Sequence, residues 1–240
     1  MKSVDLITGF DASEEPTANI ASIPPPVTVD HRKAEDRFGI FFKYLIDAFL
    51  ALIALVALLP LITMVSLILL ATQGAPILIA HRRIGKRGVP FHCFKFRTMV
   101  KNSDEILEKH LKDNPEIQAE WNASRKLKKD PRVTAFGRSL RRSSIDELPQ
   151  LLNVLRGDMS LVGPRPITQS ETLFYGPHIA DYIAVRPGLT GLWQVSGRSE
   201  TSYSERVEID VRYVAERSLV GDFVIMAKTI PAVLSTRGSY

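Results

Sequence analysis

The sequence predicts an α+β protein that is mostly helical and carries a membrane-inserted apolar segment. Ala48–Ala71 form a run of 24 residues without a charge, a length typical of a membrane helix. In the rest of the chain, helical periodicity outweighs a few short strand-like runs. With 240 residues and 45% hydrophobic content, the chain is long enough for one such domain and its core.

Charge is distributed unevenly along the chain. The net charge is +5, but residues 1–30 carry five acidic residues against one lysine, so the remaining chain is strongly basic. A basic body favours phosphate-bearing partners: nucleic acid, anionic lipid headgroups or a phosphorylated substrate. Residues 1–37 are predicted to be a disordered tail. Cys93 is the only cysteine, which excludes an intramolecular disulfide and a CxxC metal site.

The predicted membrane segment, residues 38–73, contains this charge-free run, which Pro60 divides into two halves of 12 and 11 residues. Each half would be about 17 Å long, roughly half of the hydrocarbon core. Basic residues flank the charge-free run at both ends, with Lys43 before it and Arg82 and Arg83 after it. Because basic flanks favour the cytoplasmic side, both ends could share one side of the membrane. These observations support a re-entrant hairpin and a kinked simple span about equally.

Short strands are predicted after this segment. Ile77–Ala80 and Pro90–Phe96 are joined by a basic, glycine-containing turn. Lys95 and Arg97 alternate with phenylalanines, which places both cations on one face. The other predicted elements are amphipathic helices over Asp104–Leu111 and Glu116–Leu127, a strand over Leu192–Val195, and helices over Ser204–Arg217 and Asp222–Leu234, the last packed on the core or lying in the membrane interface.

Asp146 and Glu147 open another helical pattern. Its apolar positions are Leu148, Leu151, Leu152 and Leu155. Pro149 fits only a first turn, and Gly157 is the expected stop. Both carboxylates therefore sit at a helix N-terminus, where the positive end of the dipole stabilises negative charge. Simple helix capping is the alternative interpretation.

Several arginines are placed so that they could hold phosphate. Arg165 lies between Pro164 and Pro166, which fix its backbone, and its planar guanidinium suits a phosphate or a base edge. A rigid surface loop is the alternative. Together, the cations could bind phosphates while a carboxylate binds Mg²⁺ or attacks a phosphoryl group. No P-loop motif is present.

The motifs, taken in order, resemble the bacterial sugar transferases, which are monotopic phosphoglycosyl transferases acting on polyprenyl phosphate. The matching pieces are the apolar helix with Asp47 and Pro60, Lys95–Met99, Ser144–Gln150, Gly157–Pro166, Arg186–Gly191 and Gly197–Arg198. They cover roughly residues 38–238, and the exopolysaccharide-initiating members are the most similar in appearance. The family often has serine before the membrane proline, where this chain has Leu59.

The resemblance implies transfer of hexose-1-phosphate from a UDP-hexose to undecaprenyl phosphate, with release of UMP. Asp146 would be the nucleophile, giving a covalent phosphosugar intermediate, and would also hold Mg²⁺. Glu147 would assist proton removal or position the lipid phosphate. Arg141 would hold an acceptor or transferred phosphate, and Lys95 is a further substrate-binding candidate. Arg165 and Arg198 would contact the uridine nucleotide.

The resemblance also implies the membrane topology and the partners. A re-entrant helix over residues 38–73 would anchor a catalytic domain, residues 74–240, on the cytoplasmic face of the inner membrane, with interfacial amphipathic helices. Membrane lipids are expected partners, a homodimer is compatible with the motifs, and nucleic acid is not expected. The alternatives are a non-catalytic anchored domain that binds nucleic acid or anionic lipid, and a glycosyltransferase that releases UDP. The sequence does not separate galactose from glucose.

Overall fold

The computed structural model describes residues 37–124, 127, 129–196 and 202–234. The α-helices are α1 (Arg37–Ala57), α2 (Leu59–Gln73), α3 (Ser103–Lys112), α4 (Pro115–Ser124), α5 (Ala135–Arg142), α6 (Leu151–Arg156), α7 (Thr172–Tyr175), α8 (Ile179–Ala184), α9 (Leu192–Ser196), α10 (Tyr203–Glu216) and α11 (Leu219–Leu234). The strands are β1 (Leu78–Ile84), β2 (Pro90–Phe96), β3 (Ser160–Val162) and β4 (Gly188–Thr190). The mostly helical α+β class is confirmed. The predicted tail lies outside the described residues, except for Arg37.

The apolar segment forms two helices with a break just before Pro60. Between α1 and α2, the Leu58 backbone has φ −91° and ψ 0°. Pro60 lies in the first turn of α2, where its missing N–H costs no helical hydrogen bond. Phe38–Ala57 have a mean hydropathy of 2.2 and, by length and composition, could cross a membrane. The structure therefore breaks the apolar segment next to the proline, as predicted.

The predicted hairpin is present, with a longer first strand. β1 pairs antiparallel with β2 from Leu78–Phe96 to Ile84–Pro90. The connecting turn places Arg87 at φ 60° and Gly88 at φ 74°. Beyond β2, Arg97 turns away from the predicted shared face and donates to the carbonyls of Gln73 and Gly74, at 2.7 Å each. Arg97 therefore caps the C-terminus of α2, because those carbonyls have no helical partner.

The second sheet joins two distant segments. β3 and β4 pair in parallel, with Ser160 opposite Gly188 and Val162 opposite Thr190. The backbones approach so closely that a Cβ on Gly188 would lie 2.1 Å from the Gly163 nitrogen. The predicted strand over Leu192–Val195 is wrong, because these residues begin α9 directly after Gly191. The strand position is taken by the glycine-containing segment that can pack against Gly163.

Both apolar helices are attached to the domain. Ala51 of α1 is fully buried in a cluster that includes Leu151 and Val154 of α6. From α2, Leu69 is buried with Phe96. The opposite sides of these helices expose large apolar side chains, among them Phe38, Phe41, Phe49, Val56, Leu59, Met64 and Leu67. Each helix therefore presents one face to the domain and leaves an apolar face uncovered.

Candidate active site

The carboxylate pair lies at the start of a helix, as predicted, but that start is a 3₁₀ segment. Ile145–Gln150 are 3₁₀-helical and lead directly into α6, with Asp146 and Glu147 in the first turn. Ser144 precedes them at φ 56°, a left-handed conformation uncommon for serine. Pro149 lies inside the 3₁₀ segment, before α6 rather than in its first turn. Gly157 ends α6 at φ 83°, as predicted.

The buried face of α6 differs from the predicted leucine stripe. Leu151 and Val154 are buried, and so is the polar Asn153, whereas Leu152 is 37% exposed. The short helix is packed against both α1 and β2, so periodicity for a single buried face does not describe it.

Asn153 fixes the carboxylate pair against β2. Its Oδ1 accepts from the Phe94 N–H at 3.0 Å, and its Nδ2 donates to the His92 carbonyl at 2.7 Å. A buried amide that replaces sheet hydrogen bonds in this way holds two elements in one register. Lys95, the next residue of β2, then reaches Glu147, with Nζ 2.7 Å from Oε1.

Asp146 and Glu147 lie in different electrostatic surroundings. Asp146 is 7% exposed and, among the described residues, forms no ion pair. Burial raises the pKa of Asp146 to about 6; Lys95 and Arg141 pull it downward, whereas the Glu147 carboxylate adds to the rise. Burial would also raise the pKa of Glu147, but Lys95 and Arg165 hold it below its ordinary value. The pair therefore combines a firmly ionised carboxylate with one that binds a proton more readily.

Lys95 acts on both carboxylates, whereas Arg141 and Arg165 act on different ones. Arg141 Nε donates to Thr98 Oγ1 at 2.9 Å, and its charge acts on Asp146. Arg165 acts on Glu147 instead. A small cavity is lined by Arg83, Cys93, Lys95, Glu147, Gln150, Arg165, Pro166, Gly188, Leu189 and Gln194. The structure thus brings Lys95, Glu147 and Arg165 to one cavity, while Asp146 and Arg141 do not line it.

Arg83 is a site residue that sequence reasoning assigned only to a membrane flank. It lines the same cavity and helps to lower the pKa of Glu147. Its Nη1 lies 3.6 Å from Glu171 Oε2. The hairpin register pairs Ile79 with Lys95, so alternation along β1 places Arg83 on the Lys95 face. The alternation of side chains along the two paired strands was the sequence signal that could have identified Arg83.

A second group of residues surrounds Trp193, near the Arg165 end of the cavity. The Trp193 ring lies 5.8 Å from the Arg165 guanidinium and 4.8 Å from that of Arg206. Asp210 is buried and accepts from the Tyr175 hydroxyl at 2.7 Å. Burial raises the pKa of Asp210 to about 7, against the pull of Tyr175 and both arginines. Sequence reasoning missed Arg206 and Asp210 because they lie on α10, outside the matched motifs.

Arg198, the remaining predicted contact, lies outside the described residues. Mg²⁺ was expected at Asp146, and the donor set there fits it. Within the described chain, no group of three or more His, Cys, Asp or Glu side chains could form a metal site. Mg²⁺ in phosphoryl-transfer sites is commonly held by one or two carboxylates together with substrate phosphates. Asp146, which is buried and forms no ion pair among the described residues, could supply such a carboxylate.

Comparison with known proteins identifies the family. Residues 38–236 match the model of the bacterial sugar transferases. The exopolysaccharide production protein ExoY of Sinorhizobium fredii is 50% identical over 198 residues, which are 82% of this chain and 88% of that protein.

Two further relatives are matched over a smaller part of their length. The undecaprenyl-phosphate galactose phosphotransferase of Salmonella typhimurium is 49% identical over 70% of this chain and 35% of its own. The UDP-glucose:undecaprenyl-phosphate glucose-1-phosphate transferase of Caulobacter vibrioides is 42% identical over 69% of this chain and 59% of its own. These relatives contradict the alternative of a non-catalytic anchored domain. The chain belongs to the bacterial sugar transferase family and is a phosphoglycosyl transferase.

Proposed function

We propose that this enzyme transfers hexose-1-phosphate from a UDP-hexose to undecaprenyl phosphate and releases UMP. The relatives named for galactose and for glucose transfer support this donor and acceptor class. The observation that carries the proposal is the buried Asp146, which forms no ion pair among the described residues and stands beside the Lys95–Glu147 pair. The product would prime an exopolysaccharide or another glycoconjugate.

Asp146 is proposed as the nucleophile. One of its oxygens bonds to the sugar-bearing phosphorus, the bond from that phosphorus to UMP breaks, and UMP departs with the electron pair. An oxygen of undecaprenyl phosphate then bonds to the same phosphorus, and the Asp146 carboxylate leaves. A pKa of about 6 keeps Asp146 largely ionised at neutral pH while making it more basic than an ordinary aspartate.

Different cations around the pair would bind the two substrates. Arg165, together with Arg198, would bind the uridine nucleotide, and the proximity of Arg165 to Trp193 supports this assignment. Arg141, which acts on Asp146, would hold the acceptor or transferred phosphate. Lys95 would contact a phosphate, and its ion pair with Glu147 supports a positioning role for that carboxylate. When bound at Asp146, Mg²⁺ would offset the charge of the diphosphate.

The apolar segment is proposed to enter the membrane and return to the cytoplasmic side. The break at Leu58, the exposed apolar faces of α1 and α2 and the contact of both helices with the domain support this path. Single cysteines at Glu35 and Arg87, in a Cys93→Ala background, should react with a membrane-impermeant reagent from the same side. Labelling from opposite sides would establish a simple span.

The reaction is tested with a panel of UDP-sugars and undecaprenyl phosphate, with nucleotide products separated by chromatography. The proposal predicts Mg²⁺-dependent UMP formation with UDP-galactose or UDP-glucose. Release of UDP would instead show transfer of the sugar alone. Chelation by EDTA should stop the reaction, and added Mg²⁺ should restore it.

A further inference from the structure

Arg83 reaches the cavity beside Glu147 from the first strand of the hairpin. The strand register pairs Ile79 with Lys95, and side chains alternate along each strand, so Arg83 lies on the same face as Lys95. Both cations line the cavity. Arg82, the preceding residue, belongs to the opposite face of β1 and is exposed. One face of the hairpin therefore carries two cations to the site, while Arg82 carries an equal charge elsewhere.

A buried tie holds Arg83 and Arg165 at the same cavity. The Ile84 N–H donates to the Ile167 carbonyl at 2.9 Å. The Tyr182 hydroxyl donates to the Ile84 carbonyl at 2.8 Å and accepts from the Ile167 N–H at 3.2 Å. Arg83 directly precedes one tied residue, and Arg165 lies two residues before the other. Because Tyr182 is buried, water does not compete for these bonds, and the two arginine-bearing segments keep their relative position.

Positive charge exceeds negative charge around this cavity. Among the described residues that line it, Arg83, Lys95 and Arg165 are cations and Glu147 is the one carboxylate. Glu147 is already paired with Lys95 at 2.7 Å, which leaves the two arginines in excess. Cys93 adds no negative charge, because burial raises the pKa of its thiol to about 11. The lining therefore favours an anionic group.

The counter-ion of Arg83 is held loosely. Arg83 Nη1 lies 3.6 Å from Glu171 Oε2, farther than a hydrogen bond, and both side chains are partly exposed. Glu171 Oε2 is also engaged elsewhere, since it accepts from the Thr168 N–H at 2.7 Å and from Thr168 Oγ1 at 3.0 Å. A partly exposed ion pair of this kind contributes little free energy. A phosphate that offers Arg83 direct hydrogen bonds can therefore replace Glu171.

We propose that Arg83 is a further substrate-binding residue, which holds the diphosphate of the UDP-hexose together with Arg165 and leaves Glu171 when the donor binds. Its planar guanidinium can donate two parallel hydrogen bonds to phosphate oxygens. The inference rests on the proposed function, since it requires a UDP-sugar as donor. It extends the donor site from the Arg165 loop to β1.

Steady-state kinetics with the UDP-hexose that the parent enzyme uses tests this role. Arg83→Gln should raise the KM for the UDP-hexose about 10–100-fold with little change in kcat, the effect of losing a charge-assisted hydrogen bond made in the ground state. Arg82→Gln removes an equal charge from the other face of β1 and should keep the parental KM. A parental KM in Arg83→Gln, or a loss confined to kcat, would overturn the proposal.

Two further measurements separate a phosphate contact from packing and the donor from the acceptor. Arg83→Lys keeps the charge and should recover most of the affinity for the UDP-hexose, whereas a loss equal to that of Arg83→Gln would indicate a packing role and overturn the proposal. The KM for undecaprenyl phosphate should stay parental in Arg83→Gln. A rise in that KM alone would assign Arg83 to the acceptor phosphate and contradict the donor contact.

Glu171→Gln tests the exchange of partners. Glutamine can still accept from the Thr168 N–H, as in a capping box, but it carries no charge. The variant should lower the KM for the UDP-hexose about 2–5-fold in the parent and leave it unchanged in the Arg83→Gln background. Equal decreases in both backgrounds would overturn the exchange. Absence of UMP formation by the parent would contradict the proposed function, whereas UMP formation that is insensitive to Arg83 would contradict only this inference.

Discussion

Two clusters of lysine and carboxylate side chains differ in how completely their carboxylates are paired. The Lys43 cluster contains Lys43, Asp47 and Asp222, and the Lys95 cluster contains Lys95, Asp146 and Glu147. Lys43 lies 2.5 Å from Asp222 and 3.4 Å from Asp47, so one ammonium serves two carboxylates. Ser160 donates to Asp47, and Tyr213 donates to Asp222 at 2.9 Å. Every carboxylate of this cluster therefore has a charged or hydroxyl partner, and the cluster ties α1 to β3, α10 and α11.

In the Lys95 cluster, one carboxylate is left without such a partner. Lys95 pairs with Glu147 at 2.7 Å, whereas Asp146 is buried beside them without an ion pair among the described residues. Burying a carboxylate in this way costs stability, and perturbed carboxylates are concentrated at functional sites. The comparison assigns the Lys43 cluster to holding α1 against the domain and the Lys95 cluster to the proposed chemistry.

The largest expected effect is that of Asp146→Asn. Turnover should fall by about 10⁴-fold or more, because the amide cannot act as the nucleophile. UMP release measures this loss. Near-parental turnover in the variant would contradict the role of Asp146.

The same substitution should make the protein more stable at neutral pH. Because the folded-state pKa of Asp146 is raised, its ionisation costs stability as the pH rises through about 6. Asp146→Asn should therefore gain about 1–3 kcal/mol above that pH, and the gain should vanish below about pH 4, where the carboxyl is protonated in both states. Thermal unfolding at pH 4 and pH 7.5 provides the comparison. A loss of stability at pH 7.5 would place Asp146 among the structural charges.

Lys95→Met should have the next largest effect. It removes the proposed phosphate contact and leaves the half-buried Glu147 without its cation, so kcat/KM should fall by about 10²–10³-fold. Because Lys95 also lowers the pKa of Asp146, the acidic limb of the pH–rate profile should move above about 6. Lys95→Arg is the matched control and should keep the limb near its original position. An unchanged acidic limb in Lys95→Met would show that the charge of Lys95 does not act on the titrating group.

Asp47→Asn probes the Lys43 cluster and should lower stability without changing catalysis. The variant weakens the contacts of Asp47 with Ser160 and Lys43, while Lys43 keeps Asp222. The expected loss is about 1–3 kcal/mol, seen as a lower Tm. UMP formation per folded molecule should be unchanged. A selective loss of kcat would show that the two clusters are coupled.

The smallest expected effect is a shift of the acidic limb in Glu147→Gln. The Glu147 carboxylate helps to raise the pKa of Asp146, so its removal should move the limb below about 6, opposite to the shift in Lys95→Met. The profile is measured on residual kcat/KM. Shifts in the same direction in both variants would exclude Asp146 as the titrating group.

Local signals predicted much of the fold and the main site. The proline break, the hairpin, the stop at Gly157 and the carboxylates in a first turn depend on short-range backbone preferences, and these predictions are confirmed. The helix predicted over Ser204–Arg217 is also confirmed as α10, with Val207 and Val214 buried.

Features set by long-range packing could not be predicted in the same way. Leu192–Ser196 forms a helix because the strand position beside β3 is taken by Gly188–Thr190. The buried face of α6 includes Asn153, since this short helix packs on two sides. Arg206 and Asp210 come close to Arg165 only because the fold brings α10 to the distant segment that follows β3.

The most direct test of the central claim is a single-turnover reaction with UDP-galactose or UDP-glucose and Mg²⁺ but no lipid acceptor. Asp146 acting as nucleophile predicts a burst of UMP that approaches one equivalent of enzyme, together with a hexose-phosphate mass on the peptide that contains Asp146. Addition of undecaprenyl phosphate should then remove the adduct. UMP formation only after the acceptor is added, with no adduct at any time, would show direct transfer and contradict the account.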